Sequence, residues 1–460
     1  MIQAREHAVV LGASVGGMLA ARALSRHFAR VTLLERDVLG ETPVQRKGVP
    51  QGRHAHGLLA AGQLALERAF PGFKTDLEAL GALTSDVGEG RWIVSGHALQ
   101  LPHIGLRGVT CTRPVLETYV RGRLCQLPNV RIRAGDALGL HYADGRVQGV
   151  RLLDRRDGSA PETLRADLVV DATGRGSRAP AWLRELGYPA PKEDRIKVGI
   201  GYTTALYERR ADHLAGRSVL VIGAAPPNLR CGVALAVDAE HWIVTLVGYL
   251  GVRADPSHAG FLDFASKLPA NDLLQILSAS QPASAFASMT FPHSQRRRYD
   301  QLRAHPEGFV VFGDAMCSFN PIYGQGMTVA ALEADALDSC LASPGRKRLW
   351  RRFYRAAKAV VDVPWSITVG NDLCFDEVEG RRSLPGKLLN RYLARLLETA
   401  AHDAKVGEAF ARVTHLLSPP GSLMQPRILA RVLRGPRPAA RVGTLTASGA
   451  TVTEAGPPAR

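Results

Sequence analysis

The chain has 460 residues, 46% hydrophobic and 22% charged, a length worth about three domain equivalents and a composition that excludes a disordered or fibrous protein. The formal net charge of +16 suits an anionic cofactor, a membrane surface or nucleic acid, or only an arginine-biased solvated surface, and no basic run interleaved with aromatics argues for nucleic acid. Six scattered cysteines with no C-x-x-C pair indicate neither a zinc site nor a disulfide framework, and no apolar run is long enough to span a bilayer.

The chain enters its first predicted strand almost at once, without a basic-then-apolar leader, so a cytoplasmic protein is expected. Residues 9–35, VVLGASVGGMLAARALSRHFARVTLLE, have the layout of a strand, a tight glycine turn, a helix and a second strand, as in a dinucleotide-binding βαβ unit. Gly12 allows the sharp turn. Ser14 stands where backbone must approach a pyrophosphate, between Ala13 and Val15, and Gly17 lets the helix pack closely on the sheet. Gly17, Ala20, Leu24 and Phe28 are expected on one helical face. Glu35 closes the second strand, placed to accept hydrogen bonds from an adenosine ribose. The helix N-terminus offers unpaired N–H groups and a positive dipole end to phosphates. Ser14 replaces the middle glycine of G-x-G-x-x-G; its Cβ narrows the approach, although its hydroxyl could bond a phosphate oxygen. Residues 12–16 also spell G-x-S-x-G, the nucleophile elbow of α/β-hydrolases. An elbow needs earlier strands, and only one short strand precedes Gly12.

In the loop at residues 36–57, Arg46, Lys47 and Arg53 are either phosphate or ribityl partners or solvated charge. Arg36, Lys47 and Val49 are counted as candidate cofactor contacts. The His54-x-His56 pair lacks a nearby carboxylate or cysteine, which favours loop histidines beside a cofactor over a metal site. A helix is expected over 58–70 and a strand over 92–94. Thr112 reads as an N-cap with Pro114 in the first turn, so Arg113 stands at a helix start, where it does nothing for the dipole and points to an anion. Strands at 130–133 and 147–153 are expected to bracket an Asp144-Gly145 hairpin turn.

DLVVDATG at 167–174 is a buried strand running into a glycine turn. Four short strands between 197 and 249 predict a separate antiparallel sheet, and a helical stretch over 261–278 follows. Tyr202 and Trp242 are taken as candidate substrate-pocket residues, although a tryptophan in a strand apolar on both faces is more often core. A second strand-to-glycine ending, Gly313-Asp314, leads through Pro321, Tyr323, Gly324, Gln325, Gly326 and Met327 into a helix over 328–341. That layout puts a carboxylate and a helix N-terminus at one place, a setting that favours negative charge such as the edge of a reduced flavin. Leu349, Trp350, Phe353, Tyr354 and Ala357 form an apolar stripe beside a basic face, the pattern of a docked surface helix or, alternatively, of a membrane- or partner-docking one. From 435 the chain is rich in Pro, Gly, Ala and Thr and is expected to be disordered.

These segments together resemble the FAD-dependent monooxygenases of the para-hydroxybenzoate hydroxylase fold, over most of residues 5–370. RKGVPQGRHAH at 46–56, DATGRGSR at 171–178 and FNPIYGQGM at 319–327 are similar to strings in flavin epoxidases of polyether polyketide pathways, and styrene monooxygenase-like enzymes share the layout. The resemblance implies an α/β fold: a discontinuous Rossmann-type FAD domain (1–80, 108–195, 293–345), an inserted mostly antiparallel substrate domain (81–107, 196–292) and a C-terminal helical region (346–434). It implies that Gly12, Ser14, Gly17 and Glu35 hold the ADP half of FAD. Arg113 would support the cofactor, Asp314 would meet the ribityl chain, and the 321–326 loop would line the isoalloxazine, with Pro321 and Tyr323 toward substrate. The implied activity is insertion of one oxygen atom from O₂ into a lipophilic alkene or aromatic in secondary metabolism, with no residue assigned as catalytic. A flavin-dependent reductase or dehydrogenase of an isoprenoid-like substrate is the alternative. Aromatic hydroxylases carry Ala-Asp-Gly where this chain has Ala172-Thr173-Gly174, and an arginine near Pro180, so a separate NAD(P)H-dependent reductase is expected to supply reduced flavin. Flavin halogenases carry W-x-W-x-I-P, and no two tryptophans here stand two residues apart.

Overall fold

Runs of Ala, Val and Leu from four distant parts of the chain meet in one five-stranded parallel sheet. The structure, a computed structural model, describes residues 5–154, 160–343, 348–382 and 384–435. The strand order is Phe309–Val311, Leu168–Asp171, Arg5–Leu11, Phe28–Glu35 and Val130–Ala134, with every pairing parallel. Ala8, Val9 and Val10 are fully buried, as a strand covered on both faces requires. The helix Val15–Leu24 lies against this sheet and buries all but Gly16 and Arg22. It stops at Leu24, and Phe28 opens the next strand. Phe28 therefore does not continue the helical face of Gly17, Ala20 and Leu24: the chain must reverse between Ser25 and His27 to run parallel to the first strand.

The expected hairpin is corrected in one partner. Asp144 and Gly145 do form the turn, both with positive φ, but they join Asp136–Ala143 to Arg146–Leu153. Val130–Ala134 instead edges the parallel sheet. The antiparallel sheet is larger than anticipated, with eight strands in the order Cys317–Ser318, Ala287–Arg297, Glu193–Glu208, His241–Gly248, Arg230–Ala236, Val219–Ile222, Arg91–Val94 and His97–Ala98. Its single parallel pairing joins Val219–Ile222 to Arg91–Val94. Proline and arginine disguise the Ala287–Arg297 strand. Pro292 sits at a bulge, where Lys197 pairs with His293 but Ile200 with Phe291, so its missing N–H does not break a regular ladder. The helical stretch expected over 261–278 is two helices, His258–Ala265 and Asp272–Ser278. Both cover one face of the sheet around Trp242, Phe261 and Leu273.

The helix Leu349–Asp372 is docked. Its Trp350, Phe353, Tyr354 and Ala357 are buried, Phe353 stacks on Phe312, and the Tyr354 hydroxyl accepts from the Val311 N–H at 3.0 Å. Three further helices, Leu384–Ala400, Ala404–Thr414 and Pro426–Arg434, share a separate small core around Leu396, Val406 and Val432. Apart from Gly435, the expected disordered tail lies outside the described residues.

Candidate functional site

The glycine turn after the first strand is built by close approach. Gly12 has φ +94°, and a Cβ there would stand 2.8 Å from the Ala172 carbonyl oxygen. A Cβ on Gly17 would stand 1.9 Å from the Gly12 carbonyl oxygen, so the helix starts directly on the turn. The Ser14 side chain does not cap the helix, which leaves first-turn N–H groups for an anion. Glu35 is buried at the end of the second strand. Its carboxylate accepts from the Ala13 N–H at 2.8 Å and the Asp37 N–H at 3.0 Å, fixing the turn to the neighbouring strand. Two lone pairs on each oxygen leave capacity for ribose hydroxyls as well.

Beside the turn lies a buried charge cluster. The Ser14 hydroxyl donates to Glu117 at 2.9 Å, Arg113 Nε donates to the same oxygen at 2.9 Å, and Arg113 Nη2 donates to Ser14 Oγ at 3.0 Å. Arg46 Nη2 reaches the other Glu117 oxygen at 2.8 Å, and Arg46 Nη1 lies 3.4 Å from Glu35 without a hydrogen-bond partner. Burial pushes the Glu117 carboxyl up, but the Arg113 and Arg46 charges outweigh it and hold Glu117 below its ordinary range. Two guanidiniums and two carboxylates, Glu117 and Glu35, thus meet at a helix N-terminus, where Arg46 Nη1 and the uncapped first-turn N–H groups are the donors left for an anionic pyrophosphate. His56 is held neutral, its pKa lowered to about 3 by burial and by Arg113.

A second helix N-terminus arrives at the same place. The helix Gly326–Ala342 packs on the first helix, with a Cβ on Gly16 meeting that of Ala330 at 3.8 Å. Asp314 lies in front of it: a Cβ on Gly326 would be 3.6 Å from Asp314 Oδ1. The Asp314 side chain is solvent-exposed, yet protein surrounds it closely enough to raise its pKa against the pull of Arg113 and Arg175, as for a group on a cleft floor. The Gly313 N–H donates to Glu333 at 2.7 Å, anchoring the Gly-Asp turn to the helix. Glu333 is fully buried with its other oxygen unpaired, and burial raises it to about 8.

The intervening loop is held from behind. Pro321–Tyr323 form one helical turn ended by Gly324 at φ +61°, a left-handed conformation suited to glycine. Tyr323, Tyr249 and Asn320 all donate to Asp372 Oδ1, at 3.0, 3.0 and 2.9 Å. Asp372, at the end of the Leu349–Asp372 helix, is fully buried, and burial raises its pKa to about 6. The Tyr323 hydroxyl is thus tied to the end of that helix.

Tyr202 lies on the face of the eight-stranded sheet that meets this loop, clustered with Phe291, Met289 and Ile322 and touching the edge of His54 at 4.3 Å. His54 bonds Thr204 at 2.8 Å, and burial and Arg53 lower its pKa to about 4. Trp242 is corrected as a pocket candidate. It is fully buried on the opposite, helix-covered face, because alternation along the strand sends it away from Thr245 and Val247. Thr173 is exposed, and its hydroxyl donates to Asp171 at 2.6 Å. Val49 is buried, with its carbonyl accepting from Gln45. Arg36, Lys47 and Pro321 face solvent. Gln325 is buried, its side-chain oxygen accepting from Thr368 at 2.9 Å, and Met327 is buried in the main core. Four members of the site were not foreseen: Glu117, Arg175, Glu333 and Asp372. Only Glu117 carries a readable signal, an acid four residues after Arg113 on one helix.

No protein-family model matches the chain. It is 35% identical over 434 residues to Protein Rv3254 of Mycobacterium tuberculosis, covering 90% of each. It is 27% identical to a kynurenine 3-monooxygenase of Salinispora arenicola, covering 86% of each. Among solved structures it resembles p-nitrophenol 4-monooxygenase PnpA from Pseudomonas putida DLL-E4, with TM-score 0.63, 17% identity and coverage of 91% of this chain and 100% of that one. The flavin-dependent brominase Bmp2 gives TM-score 0.63 at 14% identity, covering 89% and 93%. At these identities the structural likeness is one of fold.

Proposed function

The chain belongs to the same family as Protein Rv3254, and from that premise, with the cleft where its two helix N-termini meet, we propose that it is a FAD-dependent monooxygenase acting on a lipophilic alkene or aromatic substrate. The observation that carries this is the convergence of Ser14, Arg46, Arg113 and Asp314 at the starts of Val15–Leu24 and Gly326–Ala342. Segments 1–80, 108–195 and 293–345 would hold FAD, and 81–107 with 196–292 the substrate. Ser14, Arg113 and the first N–H groups of Val15–Leu24 would take the pyrophosphate, Glu35 the adenosine ribose and Asp314 the ribityl chain. The N-terminus of Gly326–Ala342 would stabilise negative charge on the ring edge. When bound, FAD supplies the oxygen-activating chemistry. The protein orients the reactants, and its apolar wall of Tyr202, Met289, Phe291 and Ile322 excludes water. His54, at the edge of Tyr202, is held neutral and adds no charge to that wall, and the Arg175 guanidinium over Phe291 is tied to the His293 carbonyl.

The kynurenine 3-monooxygenase likeness supports oxygen insertion, and the lack of paired tryptophans weighs against halogenation. The test is the absorption spectrum of the purified protein, followed by oxygen consumption with and without styrene or another lipophilic alkene. Flavin bands and substrate-linked oxygen uptake are expected. A protein that binds no FAD on titration overturns the proposal.

A further inference from the structure

The C-terminal helices expose apolar side chains in a way the rest of the molecule does not. Of the ten large hydrophobic side chains exposed among the described residues, five lie between 384 and 433: Leu384 at 77%, Leu388 at 66%, Leu389 at 51%, Met424 at 49% and Leu433 at 60%. Three of them lie on the Leu384–Ala400 helix, on two stripes. Leu389, Leu393, Leu396 and Ala400 follow i, i+4, i+7, i+11 spacing, and this stripe is buried at its far end, where Leu396 and Ala400 join the small C-terminal core. The other stripe, Leu384, Leu388, Arg391 and Arg395, points the opposite way, with Lys387 alongside. Tyr392 donates to the Leu423 carbonyl at 2.6 Å, and Arg395 donates to the Val432 and Leu433 carbonyls at 2.8 and 2.6 Å. These bonds tie the segments that carry exposed Met424 and Leu433 to the leucine-bearing helix.

Charge selects the partner. Residues 381–434 carry ten Lys and Arg against three Asp and Glu, and Lys387 and Arg391 are exposed. A second copy in a two-fold dimer would bring this same patch against itself and set like charges face to face. An anionic lipid surface accepts both features at once, apolar side chains into the acyl boundary and basic ones among the headgroups. Among the described residues no helix is long and apolar enough to cross a membrane, so contact would be peripheral. We propose that the stripe of Leu384, Leu388 and Arg391, with Lys387 alongside, docks the protein on membranes containing anionic lipid. This stands apart from the flavin assignment.

The experiment is co-sedimentation of the full chain with vesicles of phosphatidylcholine alone, or of phosphatidylcholine containing phosphatidylglycerol. The wild-type protein should pellet with the anionic vesicles and far less with the neutral ones. Combined Leu384→Ser and Leu388→Ser should weaken that binding by about tenfold or more without lowering the melting temperature, since these side chains are exposed. Combined Lys387→Glu and Arg391→Glu should abolish the preference for anionic vesicles, each basic residue near such a surface being worth roughly fivefold. Wild-type protein left in the supernatant with both vesicles overturns the proposal. So does a leucine variant that pellets like wild type, since charge alone then suffices. A wild-type dimer that the leucine substitutions convert to monomer in light scattering overturns it too, in favour of a second copy.

Discussion

Glu35 is at once a structural residue and a candidate ligand. Removing it strands the N–H groups of Ala13 and Asp37 and leaves Arg46 facing one fewer carboxylate. Glu35→Ala should therefore lower the melting temperature of flavin-free protein and also weaken FAD binding by roughly 10- to 100-fold, the worth of a charge-assisted hydrogen bond. Fluorescence titration with FAD reads the second effect, and unchanged affinity would remove the ribose assignment. Glu333 gives a pH signature. Its carboxyl is raised from 4.5 to about 8 by burial, so between those values the folded protein holds a proton that the unfolded chain has released. Its contribution is fully present below pH 4.5 and is lost as pH rises toward 8, because the unfolded state binds fewer protons there. Glu333→Gln keeps an acceptor for the Gly313 N–H and removes the titration. Melting temperature should fall with pH across this window more steeply in wild type than in the variant; identical slopes would show that Glu333 is ionised in the fold. Glu35 and Gly12 were legible because their partners lie within one βαβ unit at fixed spacing. Glu333 and Asp372 were not, since each matters only through a loop that folding brings to it.

The first turn and helix were readable for the same reason, and the glycines divide by what surrounds them. A Cβ on Gly17 would enter the Gly12 carbonyl at 1.9 Å, whereas one on Gly16 meets Ala330 and Phe312 at 3.8 and 3.9 Å, ordinary contact. Gly17→Ala should cost about 2–3 kcal/mol or more in denaturant unfolding, an overpacking penalty against backbone, and should abolish FAD binding. Gly16→Ala should stay within about 0.5 kcal/mol of wild type. Equal tolerance of both would mean that the helix does not start on the turn as described. Elements failed to show in the sequence where local pattern and pairing disagree. Val130–Ala134 alternates like a hairpin strand but edges a parallel sheet, and Asp136–Ala143, interrupted by Gly139, takes the hairpin role. Ala287–Arg297 hides behind Pro292, which a bulge accommodates. The single helical stretch over 261–278 is broken at residues 266–271, where Pro269 cannot continue it.

At the scale of the whole molecule, the proposed flavin cleft draws on both large sheets and on the long C-terminal helix, and its surroundings bear on the source of electrons. In the aromatic hydroxylases that this chain resembles, an aspartate at the position of Thr173 and an arginine near Pro180 accompany direct use of nicotinamide. Here the Thr173 hydroxyl is bound to buried Asp171, Asp171 is also held by Ser177 at 2.6 Å, and Pro180 lies in the first turn of the helix Ala179–Glu185. Arg178, the next candidate cation, is exposed at the start of that helix. Arg175 is turned inward, donating to the His293 carbonyl at 2.7 Å and covering Phe291 at 4.7 Å. The Thr173 hydroxyl and the Arg175 guanidinium thus already have protein partners, and misplaced reactants lose orders of magnitude in rate. The purified protein should therefore reduce its flavin slowly with NADH or NADPH alone and turn over when a separate NAD(P)H-dependent flavin reductase is added. Anaerobic stopped-flow at the flavin absorption maximum, with substrate present, decides between the two arrangements. Rapid bleaching by NAD(P)H without added reductase would make this a single-component enzyme and would place the nicotinamide site elsewhere than the segment around Thr173.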